Sequence, residues 1–88
     1  MPYISREDRD KWQELMEYIN KDDFYDVTPG EMNYLITSLL KKYWYDHTDT
    51  GYTTFNEMVG ILECAKLELY RRMIAPYEDI KINENGDV

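Results

Sequence analysis

The chain has 88 residues, a formal charge of −8, one cysteine and one histidine. That length bounds it to one domain, whose core is marginal without a staple, a metal or oligomerisation. A lone cysteine, Cys64, excludes an internal disulfide, no apolar run approaches a membrane span of roughly 20 residues, and the acidity opposes direct nucleic-acid binding.

The opening Met1-Pro2-Tyr3-Ile4-Ser5-Arg6-Glu7-Asp8 is charged rather than signal-like, so a cytoplasmic location is expected. Ser5 is placed to cap a first helix, with Asp8 three residues on. Trp12, Leu15, Met16 and Ile19 then share one face at helical spacing. The helix is expected to end near Asn20, and Lys21 to Val27 form a connection.

The second helix has the clearest start. Thr28 is the N-cap, Pro29 fits the first helical position, and Glu31 completes a capping box. Met32, Leu35, Ile36, Leu39, Leu40 and Tyr43 form an apolar stripe that fades around Trp44 or Tyr45. A turn-rich loop follows, Asp46 to Tyr52. Thr54 with Glu57 then reads as the cap of a third, long helix reaching Ala75, because the residue before Pro76 is driven away from helical geometry.

Phe55, Met58, Val59, Leu62, Leu69, Tyr70 and Met73 make one face of that third helix, and Ile61, Cys64, Ala65 and Leu67 widen it. A helix apolar on more than one side is buried on more than one side, which predicts a homo-oligomer. Beyond Pro76, Ile80 and Ile82 alternate with charged neighbours, and Asn85-Gly86 is a turn signal. The expected fold is therefore all-α: a small three-helix unit with a long C-terminal helix over 1–76, and an extended charged tail over 77–88.

Catalytic and metal-binding motifs find little support. Asp46 to Glu57 places Asp, Gly and Glu at positions 1, 6 and 12 of a calcium loop, but Thr48 and Thr50 stand where carboxylates are needed. Helix capping explains the same residues without a metal. His47 has no second histidine or nearby cysteine to complete a zinc site, and Cys64 reads as a core thiol. Glu63 and Glu68 lack the Glu-x-x-His repeats of a di-iron bundle, and Glu68 suits an i, i+4 pair with Arg72. No enzyme activity, cofactor or metal is expected.

One constellation remains, Tyr70-Arg71-Arg72 followed by Pro76-Tyr77. Guanidinium forks take phosphate or carboxylate bidentately, and tyrosine faces stack on bases. Arg71, Arg72, Tyr70 and Tyr77 are thus the candidate ligand-binding residues for a small anionic, nucleotide-like molecule. The plainer alternative is that the two arginines pair with Glu68, Glu78 and Asp79 and complement the helix dipole.

The opening Met1-Pro2-Tyr3-Ile4, the segment Pro29-Gly30-Glu31-x-Asn33-Tyr34, the run Gly60 to Arg72 and the ending Ala75-Pro76-Tyr77-Glu78-Asp79-x-Lys81-Ile82-x-Glu84-Asn85-Gly86-Asp87-Val88 resemble a family of small phage and bacterial proteins. The family brings no activity or site residue to carry over. The resemblance implies a phage or prophage setting, hence a host cytoplasm, where small non-enzymatic proteins counter host defences. Three functions are expected to compete: sequestration of an anionic signal at an oligomer interface, inhibition of a basic host protein by an acidic surface, and a structural oligomer without a ligand.

Overall fold

A computed structural model describes residues 2–21, 24–48 and 51–88. The described residues are all-α: α1 (Arg6–Asp10), α2 (Gln13–Ile19), α3 (Pro29–Asp46), α4 (Tyr52–Leu69), a π-helical turn (Tyr70–Ile74) and α5 (Ala75–Asn85). No helix among them is long and apolar enough to cross a membrane.

The expected first helix is present but broken. Ser5 Oγ accepts from the Asp8 amide at 3.1 Å, as its cap position requires. At Trp12 the backbone opens to φ −100°, ψ 3°, and the Trp12 amide bonds three residues back to the Arg9 carbonyl at 3.0 Å. That tightened turn bends the chain so that Pro2 and Ile4 line one hollow with Trp12 and Met16. At the far end the Asn20 side-chain amide donates to the Met16 carbonyl at 2.8 Å, competing with the backbone ladder where α2 stops. Asp22 and Asp23 of the connection lie outside the described residues. Asp26 then takes a left-handed φ of 53°, a conformation aspartate accepts in turns.

The start of α3 agrees with its sequence signal in every part. Glu31 N donates to Thr28 Oγ1 at 3.1 Å, Thr28 N donates to Glu31 Oε1 at 3.2 Å, and Pro29 opens the helix. The start of α4 does not. It begins at Tyr52 behind Gly51, with no side-chain cap. Thr54 instead lies inside the first turn and is the single buried residue among those described, at 2% exposure. Glu57 faces α3, where the Tyr43 hydroxyl donates to it at 2.6 Å. Trp44 and Phe55 stack nearly parallel across the same joint, centroids 6.2 Å apart. Packing between the helices outranks the local capping pattern here.

The largest correction concerns Pro76 and the tail. The third helix does not stop at Ala75, and Tyr77–Asn85 are helical rather than extended. A proline inside an α-helix loses one amide donor, and its ring meets the carbonyl four residues back. The chain resolves this by widening the preceding turn: the Ala75 amide bonds to the Tyr70 carbonyl, five residues back. Proline then enters as an early residue of α5, where no donor is missed. Gly86, at φ 87°, ends the helix, and its amide bonds to the Ile82 carbonyl at 2.8 Å.

The π-turn also restores side-chain register. Leu62 and Leu69 are seven residues apart, whereas Leu69 and Tyr77 are eight apart, and a π-turn adds about one residue per turn. Tyr77 therefore continues the leucine stripe. Residues 52–85 form one continuous helical rod, about 51 Å long at 1.5 Å per residue. That matches the longest molecular extent of 51 Å.

No hydrophobic side chain among the described residues is buried. The radius of gyration is 16.8 Å, against about 12 Å for a compact chain of this length. The accessible surface is 8184 Å², against roughly 5,500 Å² for a folded monomer of this mass. Cys64, expected in a core, is exposed: Pro2 shares a hollow with Ile61, Cys64 and Ala65 but does not bury the thiol.

Candidate functional site

The sequence places Arg71 and Arg72 beside two tyrosines, and the structure gives them a third. Pro2 and Tyr3 run along the rod, so that Tyr3 reaches residues more than sixty positions away. The Arg72 guanidinium donates to the Tyr3 hydroxyl oxygen at 2.7 Å, and that hydroxyl donates to the Glu68 carboxylate. Arg71 donates to the same Glu68 oxygen at 2.6 Å. The result is a chain of charge-assisted bonds converging on one carboxylate.

Glu68 is the sheltered member, with its side chain 17% exposed against 66% for Arg71. The Tyr3 hydroxyl first, and the Arg71 guanidinium second, hold the Glu68 carboxyl below the usual glutamate range. The expected Glu68–Arg72 pair is replaced by Glu68–Arg71, one residue closer, because Arg72 is engaged by Tyr3. Glu78 and Asp79 take part in none of the ion pairs among the described residues. The arginines are thus tied down, though by Glu68 and Tyr3 rather than by the acids after Pro76.

Beside this cluster lies a shallow pocket of about 380 Å³, lined by Pro2, Tyr3, Glu68, Leu69, Arg72 and Met73. Tyr70 and Tyr77 do not line it. Tyr70 is half-exposed on the π-turn, and Tyr77 lies under the Lys81 ammonium, 5.5 Å from its ring centroid. Of the four candidate residues, Arg71 and Arg72 share one network and only Arg72 reaches the pocket. Tyr3 and Glu68 complete the site, and their separation in the chain leaves no local spacing by which to find Tyr3.

The remaining chemical candidates sit elsewhere. His47 is exposed, with Nδ1 2.6 Å from the Tyr43 carbonyl oxygen and its ring against that of Tyr43. Asp46 pairs with Lys42 at 2.8 Å, and Glu63 pairs with Lys66 at 3.2 Å. Asp49 and Thr50, two positions of the calcium-like loop, lie outside the described residues.

Comparison with curated proteins and with solved structures gave no significant match. A family model does match, and it spans residues 1–88. The chain belongs to the DUF6899 family, a domain of unknown function.

Proposed function

We propose that this protein is a non-enzymatic binding protein that works as a homo-oligomer and holds a small anionic, nucleotide-like ligand at the Arg71–Arg72 cluster. The observation that carries the ligand class is the charge balance of the side-chain cluster beside the pocket. Two guanidiniums face one carboxylate beside a tyrosine ring, a surplus of positive charge in a chain of net charge −8. The pocket volume of about 380 Å³ falls in the usual small-ligand range of roughly 300–1,000 Å³. Tyr3 takes the stacking role expected of Tyr70 and Tyr77, and Glu68 holds both arginine forks in place through direct and tyrosine-relayed bonds. The phage-type resemblance suggests that such a ligand is a host signal and that the protein is a defence antagonist.

Assembly is supported by the surface. The chain exposes about 2,700 Å² more than a compact monomer of its mass. Covering that excess on two copies would bury about 5,400 Å² in total, the upper end of obligate interfaces.

A second reading is favoured by the engagement of both arginines: the acidic surface blocks a basic host protein, and the cluster only fastens the N-terminal segment. One experiment separates the two. A panel of mono-, di- and cyclic nucleotides is titrated calorimetrically against wild type and against Arg71→Ala/Arg72→Ala. Sequestration predicts heat of binding for wild type and none for the double variant. No heat from any phosphate-bearing ligand with wild type contradicts it and leaves the protein-partner reading.

A further inference from the structure

The rod overshoots its own chain. It is about 51 Å long, whereas the 18 residues of α3 cover about 27 Å beside it. The distal part, α5, makes its substantial contacts with the π-turn it grows from. Met73 of the π-turn nevertheless forms an i, i+4, i+7 stripe with Tyr77 and Ile80 of α5, at 66%, 55% and 54% exposure. A helix end carrying such a stripe with no cover is built for a surface that this chain does not place beside it.

A surface of matching chemistry lies between α2 and α3. Leu15 and Ile19 face Met32, Leu35, Ile36 and Leu39 across a groove of about 280 Å³, closed at one side by Tyr18 and Phe24. Its α3 wall runs from Met32 to Leu39, seven residues or about 10.5 Å. The stripe from Met73 to Ile80 spans the same seven residues. Helix-in-groove recognition reads anchors at this spacing.

We propose that the distal rod of one copy docks its stripe, Met73 of the π-turn with Tyr77 and Ile80 of α5, into the α2–α3 groove of a second copy, and that the π-turn before Pro76 sets the phase of that stripe. The occupant is a second copy because the surface excess of about 2,700 Å² per chain is the scale of an obligate interface rather than of a short peptide. This rests on the homo-oligomer proposed above and specifies its interface.

The test is an interchain disulfide in the full chain. In a Cys64→Ser background, Ile36→Cys lies at the middle of the groove and Tyr77→Cys at the middle of the stripe, so the pair meets whichever way the helix lies. Mild oxidation with diamide is expected to give a reducible covalent dimer, several-fold more than either single-cysteine variant gives. Leu35→Cys with Tyr77→Cys is a second pair, and circular dichroism confirms helical content in each sample. Light scattering on the same proteins separates the two failures. An oligomer that yields no cross-link from either folded pair overturns the docking and leaves assembly intact; a wild-type monomer overturns both.

Discussion

The two ends of α4 are held by different means. At its start, where Thr54 is buried, α4 meets α3 through a Tyr43–Glu57 hydrogen bond and the Trp44–Phe55 stack. At its far end the rod continues through a widened turn into α5 by backbone hydrogen bonds, and Tyr3, Glu68 and the two arginines fasten the N-terminal segment to it. Cross-helix packing fixes the first region within one chain. The second keeps its shape but lacks cover, and it carries both the candidate ligand site and the uncovered stripe. What holds the single chain thus lies at one end of α4, and what it leaves exposed lies beyond the other.

That contrast can be broken at the joint. Trp44→Ala removes a partly buried ring and its stack on Phe55, and should cost about 2 kcal/mol, below the roughly 3–5 kcal/mol of a fully buried aromatic. Chemical denaturation at fixed protein concentration checks it, since assembly makes apparent stability concentration-dependent. A loss no larger than that of a surface substitution would mean that the joint is not where the single chain is held. Thr28→Ala should cost about 1 kcal/mol by removing the side-chain half of the α3 capping box, measured the same way.

The far end is sharpened by pH. The Glu68 carboxyl is depressed when folded, so its contribution is fully present above the usual glutamate value of about 4.3 and is lost as pH falls through the lower folded value. Glu68→Gln should therefore flatten the melting-temperature profile below about pH 4.3 relative to wild type. The opposite sign holds at the joint. The Tyr43 hydroxyl is raised, first by its bond to Glu57, so that stability is present below about pH 10 and declines as pH rises through the folded value. Tyr43→Phe should remove that contribution to the alkaline decline, read from melting temperature above about pH 10.

Local chemistry made much of the fold legible. The Ser5 and Thr28 caps, the α3 stripe and the all-α class follow from side chains acting on their own helix, which is what spacing reports. Three features depended on more than that. Thr54 and Glu57 have the pattern of a cap, yet the helix already begins at Tyr52 and Tyr43 across the joint takes Glu57. Pro76 reads as a stop because a proline is hard to seat in a regular α-helix, and a π-turn removes that difficulty without ending the helix. The eight-residue step from Leu69 to Tyr77 was the available signal, since it keeps one stripe continuous only if an extra residue is accommodated. Of the site, Arg71 and Arg72 were legible as a charged pair on an apolar helix. Tyr3 was not, because only the folded chain brings it to Glu68 and Arg72.

In the proposed assembly a second copy covers what one chain leaves exposed. Light scattering on the eluting protein, across dilutions from about 100 to 1 μM, tests it most directly. The expected mass is that of a dimer or higher symmetric assembly in the micromolar range, with melting temperature falling on dilution. A folded, cooperatively melting monomer at every concentration would contradict it.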